Sequence, residues 1–327
     1  MKYFLALFCI FLYCETNYTQ IFKDESGILK DTTFSIYSVY EKAKKEFPFI
    51  EIAIVNSGNE IRVDSNVVYS NSATRELHLD IYSPEVVQSK LPVVLLIHGG
   101  GWKSGDRHQM VAIAKYLALN DYIAVPVEYR LSPEAKYPAA VTDVKSAIIF
   151  LKKNYDHFNI DTNCVAILGC SSGGQLAAFV GVTNKNPNYE PALIPGVTNE
   201  VQAIVNIDGI LDFTHPGESA KDTNSLFPSA GKQWLGYSFK ENPDLWIEAS
   251  PVTYLSKDTP PILFINSGIE RFQAGQSRAI ELLTKHKIYF DIHTINNCPH
   301  TFWLFHPWFE NTVETLTKFF NGRFVKN

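Results

Sequence analysis

No fixed-period repeat and no low-complexity tract runs through these 327 residues, which excludes a solenoid or a disordered array. A dominant charge of one sign is also missing. The net charge is −5 and the isoelectric point near 6.0, so no basic field is available for nucleic acid or an anionic membrane. Cysteine is sparse, with five residues. Cys9 and Cys14 fall in an N-terminal apolar segment, and Cys164, Cys170 and Cys298 are an odd set that cannot make a complete disulfide framework. Buried thiols are the expectation for these three, with a Cys170–Cys298 bridge the alternative. No cluster has zinc-ligand spacing, so no metal is expected. The N-terminal apolar run, Tyr3 to Tyr13, has 11 residues, where a membrane span needs about 20; no transmembrane segment is expected.

What is present suits one large core. Apolar residues make up 46% and aromatics 13%, matching a single domain of roughly 250–300 residues with end segments. Lys2 followed by the apolar run, with polarity resuming at Glu15, has the layout of a signal peptide. Residues 1–14 are therefore expected to direct export to a periplasmic or secreted location. Cys14 is an alternative lipid acceptor, although Leu12 and Tyr13 before it are not small. Residues 15–50 read as a polar, partly helical extension that either wraps the domain or covers its site. Residues 51–325 read as the main domain.

Short β-branched runs at 93–97, 122–127, 165–168, 203–207 and 262–265 predict strands buried on both faces. Between them, 110–119, 141–154, 175–182 and 274–286 carry apolar residues at helical spacing, and 310–320 predicts a closing helix. This alternation predicts an α/β fold with a mostly parallel central sheet and helices on both faces. Residues 61–69 and 77–82 alternate like an antiparallel edge, with Arg75 and Glu76 at the turn. Residues 212–258 carry Pro, Gly and Trp with few periodic runs. They are too long for a plain connection and predict a cap insertion.

Two motifs carry chemistry. Gly169-Cys-Ser-Ser-Gly173 follows an apolar strand and precedes a helical stretch, the context of a nucleophile elbow with Ser171 at its apex. A sharp turn between strand and helix strains the serine and needs glycine beside it. About 70 residues earlier, His98-Gly-Gly-Gly-Trp102 places a glycine run after a buried strand. Its backbone N–H groups suit an oxyanion, with Gly100 and Gly101 as donors and Ser172 as the second contributor.

The general base is expected at His300, on the loop after the last strand pattern, ahead of His293, His306 and His108. The acid is sought just past the strand at 262–265, where Glu270 is the only carboxylate. Asp208 and Asp212, after the preceding strand, remain alternatives. Trp102 and Trp303 stand beside these motifs and are candidate substrate contacts.

Three segments carry a resemblance: His98-Gly-Gly-Gly-Trp-Lys-Ser-Gly-Asp106; Glu128-Tyr-Arg-Leu-Ser-Pro-Glu134 with Tyr137-Pro-Ala-Ala-Val-Thr-Asp143; and Gly169-Cys-Ser-Ser-Gly-Gly174. Across about residues 60–320 the chain resembles the hormone-sensitive-lipase-like and feruloyl/acetylxylan-esterase branch of the α/β-hydrolases. Its tail, Pro299-His-Thr-Phe-Trp-Leu-Phe-His-Pro-Trp308, resembles exported bacterial carbohydrate esterases, pectin-acting ones included. The resemblance implies a serine carboxylesterase acting through an acyl-enzyme on small acyl or methyl esters of plant or algal polysaccharides. It implies no cofactor. That branch usually has aspartate where this chain has Glu270. A lipolytic esterase or arylformamidase-like hydrolase, and a non-catalytic binding protein on the same scaffold, are the competing expectations.

Overall fold

The computed structural model describes residues 21–23, 29–72, 74–191, 196–220 and 228–324. The N-terminal run at 1–14, with Cys9 and Cys14, lies outside them. An eight-stranded sheet organises the chain: β1 (Ile61–Asn71), β2 (Glu76–Pro84), β3 (Leu91–Ile97), β4 (Ile123–Val127), β5 (Ile160–Cys170), β6 (Ala203–Ile207), β7 (Ile262–Asn266) and β8 (Phe290–Thr294). The spatial order is β1-β2-β4-β3-β5-β6-β7-β8. β1 and β2 pair antiparallel, β2 meets β4 antiparallel, and every pair from β4 to β8 is parallel.

Strand alternation splits the core in two. Leu95, Ile97, Val125 and Ile167 face one apolar cluster, while Leu96, Ala124, Leu168 and Val205 face the other. Because both faces are covered, β3 to β7 read as nearly continuous apolar runs rather than as alternation. Helices α2 (Ala139–Lys153), α3 (Ser172–Val182) and α4 (Gln276–His286) cover the first face. Helices α1 (Val111–Ala118) and α5 (Trp308–Phe324) cover the second.

The described residues of the extension take the wrapping course. Its helix Ile36–Ala43 sits against the α5 side, with Tyr40 near Phe305 (6.0 Å between rings), and Glu51–Ile52 pairs with Phe305–His306. Upstream, Asp31 bridges Ser104 and pairs with Lys103 (3.2 Å), while the Phe34 N–H donates to Ser104 Oγ. The extension thus grips the glycine loop from outside.

The described part of 212–258 is made of short helices, Pro216–Ser219, Ala230–Leu235 and Pro243–Glu248. Trp234 and Trp246 are wholly buried beneath it. Among the described residues no helix is long and apolar enough to cross a membrane.

Candidate active site

Ser171 stands where β5 turns into α3, at φ 55° and ψ −121°, a region that costs an L-residue about 1–3 kcal/mol. The neighbouring glycines make the turn possible by close approach. A Cβ on Gly169 would lie 1.9 Å from the Gly173 carbonyl oxygen, and one on Gly173 2.2 Å from that of Ile97. Only hydrogen fits at either position. The Ser171 N–H donates to the Ile207 carbonyl (2.8 Å), tying the elbow to β6.

His300 Nε2 lies 2.8 Å from Ser171 Oγ, and its Nδ1 2.9 Å from Asp208 Oδ2. A carboxylate only accepts, so Nδ1 carries the proton and Nε2 is free to accept from the serine hydroxyl. Burial holds the His300 imidazole below its ordinary pKa; the Asp208 carboxylate opposes this and the Arg271 guanidinium adds to it. The ring is therefore neutral at neutral pH, as a base must be.

Glu270 is not the partner of His300. It is exposed on the turn after β7, and both imidazole nitrogens are already engaged. The carboxylate comes from the end of β6 instead, from one of the two alternative aspartates. Asp208 adopts φ 49°, a left-handed conformation that Asp tolerates better than most residues, and this swings its side chain across the end of β7. There the Ser267 N–H donates to Oδ1 (2.8 Å), leaving Oδ2 for His300. Asn206 closes the turn through two bonds with Gly209. Gly209 packs so tightly on α3 that a Cβ would lie 2.5 Å from the Gln175 nitrogen. Asp212 turns away and caps its own loop through Thr214.

The glycine loop passes beside the serine, with a Cβ built on Gly99 falling 3.2 Å from Ser171 Cβ. Gly100, Gly101 and Trp102 all have positive φ (127°, 63° and 58°). A Cβ on Gly100 would strike the Ser104 carbonyl at 2.0 Å. Among the described residues, no protein acceptor takes the N–H of Gly100, Gly101 or Ser172. These are the three donors expected for an oxyanion.

Both tryptophans are interior. Trp102 is 6% exposed, stacks on Trp234 (5.1 Å, 13°) and donates its Nε1 to Gln175 Oε1 (2.9 Å). Trp303 is 1% exposed and meets His300 edge-on (5.4 Å, 89°). Neither offers a face on which a sugar could stack, which corrects the expectation of direct substrate contact. The other histidines are bound elsewhere: His108 to Asp106, His293 to Asn311 and His306 to Glu310. Cys170 and Cys298 are free and buried, so no bridge joins them.

Several supports escape sequence reasoning because their partners are remote. Gln175 joins the glycine loop to the Ala249 carbonyl (3.0 Å). The Glu128–Glu134 stretch braces the same loop, since the Tyr129 hydroxyl donates to the His98 carbonyl and the Ser132 N–H to that of Trp102. Arg130 forks onto Asp143, which accounts for two separate motif segments by one ion pair.

A family model described as BD-FAE matches residues 79–278, a span that includes Ser171 and Asp208 and ends before His300. Esterase LipC of Mycobacterium tuberculosis (strain ATCC 25618 / H37Rv) is 30% identical over 190 residues, 58% of this chain and 47% of LipC. The chain spans about half the length of the first curated relatives it matches. Among solved structures, a truncated carbohydrate esterase from gut microbiota superposes with TM-score 0.67 at 23% identity, covering 81% of this chain and 97% of that one. A bifunctional GH43-CE protein of Bacteroides eggerthii gives TM-score 0.67 at 25% identity, over 83% of this chain and 39% of that one. The fold is that of the α/β-hydrolases.

Proposed function

The chain belongs to the BD-FAE family, and from that premise we propose that it is a serine carboxylesterase for small acyl or methyl esters carried on plant or algal polysaccharides. The observation that carries this reading is the unbroken relay from Ser171 through His300 to Asp208, at 2.8 and 2.9 Å.

In the first half-reaction Ser171 Oγ attacks the ester carbonyl carbon as its proton passes to His300 Nε2. Asp208 holds the resulting imidazolium by its Nδ1–H. The oxyanion takes the N–H groups of Gly100, Gly101 and Ser172, which are preorganised and cost no reorientation. The carbon–oxygen bond to the alcohol then breaks, and Nε2 hands its proton to the departing oxygen. Water next attacks the acyl carbon, gives its proton to Nε2, and the acid leaves as Ser171 recovers that proton. The sum is ester plus water to acid plus alcohol.

The carbohydrate part of the proposal draws support from the similar gut-microbiota structure, a carbohydrate esterase. The leader-like pattern of Lys2 and the run to Tyr13 supports export to such a polymer.

The test incubates the protein and Ser171→Ala with acetylated xylan, methylated and acetylated pectin, and feruloylated arabinoxylan, and quantifies acetate, methanol and ferulate. A product from one polymer is expected, lost by a factor of about 10³ or more in the variant. Cleavage of short nitrophenyl esters alone would keep the chemistry and reject the polysaccharide. Full activity in the variant would reject both.

A further inference from the structure

The turn after β7, which supplies no carboxylate to the site, supplies an aromatic ring. Phe272 lies face to face on the His300 imidazole, with centroids 3.4 Å apart and planes 7° from parallel. Trp303 closes on the same imidazole edge-on. The turn is itself anchored. Arg271 donates to Glu218 Oε1 (2.7 Å), whose carboxylate is 6% exposed in the cap segment. The Leu211 and Asp212 N–H groups both donate to the Ala274 carbonyl (2.8 and 3.2 Å), which ties this turn to the loop bearing Asp208.

We propose that Phe272 is a positioning residue that clamps His300 through the half of the cycle in which Ser171 cannot hold it. This rests on the esterase reading above. Before attack, two hydrogen bonds define the ring: Nδ1 to Asp208 and Nε2 to Ser171. Once Oγ is acylated its hydroxyl proton is gone, and the Nε2 bond with it. Nε2 must then accept from a water aligned with the acyl carbon while a single hydrogen bond fixes the imidazole. One hydrogen bond leaves the ring free to pivot about the Nδ1–Oδ2 line, and a flat ring stacked on one face removes that freedom. A displacement of about 1 Å at such a point costs up to about 100-fold in rate.

The distinguishing consequence is that loss of Phe272 slows deacylation more than acylation. The probe is p-nitrophenyl acetate, read in pre-steady state with protein, Phe272→Ala and Phe272→Tyr. In Phe272→Ala, turnover is expected to fall about tenfold or more, with KM unchanged or lowered and a larger nitrophenolate burst as acyl-enzyme accumulates. The charged groups that act on His300 are Asp208 from the β6 end and Arg271 from this turn. Both remain in the variant, so uncovering the ring should move the acid limb of kcat/KM upward. Phe272→Tyr should restore burst, turnover and acid limb together. If Phe272→Ala does not fold, Phe272→Leu keeps the apolar volume, lacks the flat face and carries the same readouts. A folded Phe272→Ala or Phe272→Leu with unchanged burst, turnover and acid limb overturns the clamp. Failure of the unsubstituted protein to react with a fluorophosphonate at Ser171 overturns the esterase reading, and the clamp with it.

Discussion

Replacing Asp208 with asparagine should abolish turnover while leaving the molecule folded, and the hydrogen-bond pattern says why. Both groups facing the side chain are donors: the Ser267 N–H at Oδ1 (2.8 Å) and the His300 Nδ1–H at Oδ2 (2.9 Å). A carboxylate accepts from both, whereas an amide has one acceptor and one donor end. The backbone N–H cannot change its role, so the amide oxygen stays with Ser267 and the NH₂ faces Nδ1. Imidazole answers by moving its proton to Nε2. It then presents a donor to Ser171 Oγ, where an acceptor is required. Triads in which the acid becomes an amide lose about 10⁴-fold in kcat by this route, equivalent to about 5.5 kcal/mol of barrier. Glu270→Gln, on the exposed turn, should change the rate by less than about twofold, as no transition-state contact is removed. Nitrophenyl acetate kinetics on both variants decide the matter, with near-UV circular dichroism to confirm the fold. An Asp208→Asn protein keeping more than about a tenth of its activity, or a Glu270→Gln protein losing as much as Asp208→Asn, would refute the assignment.

Two further outcomes are expected. Because burial lowers the pKa of His300, the base stays unprotonated further into acid than a free imidazole. The acid limb of kcat/KM should therefore have its midpoint below 6.5, with activity falling only as pH drops through that lowered value; a pH–rate profile with its midpoint above 6.5 would contradict the burial argument. Gly173→Ala puts a methyl 2.2 Å from the Ile97 carbonyl oxygen and 2.4 Å from that of His98. Backbone cannot yield there as a flexible side chain would, so a loss of about 3 kcal/mol or more is expected in a denaturation curve; an unchanged midpoint would show that the elbow relaxes.

The elbow was legible because its constraints are contiguous. Gly169, Ser171 and Gly173 lie within five residues, and the clash that demands glycine at 169 is with the Gly173 carbonyl, although the one at 173 is with Ile97 and His98 at the end of β3. The glycine loop at Gly100 is local too, closing onto Ser104 four residues on. Trp102 and Trp303 were misread for the opposite reason. Their place beside the motifs is visible in the chain, but whether a ring faces solvent depends on Trp234, which covers Trp102 from 132 positions away in the numbering.

The amino-acid sequence by itself determined the strand–helix alternation, the parallel sheet, the serine at the elbow and the histidine on the loop after the last strand. Each follows from apolar period or from steric limits acting within a few residues. Only the tertiary structure decided which carboxylate orients His300. β6 and β7 end side by side, each followed by an acidic residue in Asp208 and Glu270. The left-handed turn at Asp208 and the Ser267 N–H waiting across β7 bring that carboxylate to the imidazole. The turn after β7 is left to bring Phe272. A choice between neighbouring strand ends depends on backbone direction and packing across the sheet, and no local pattern in the chain encodes it.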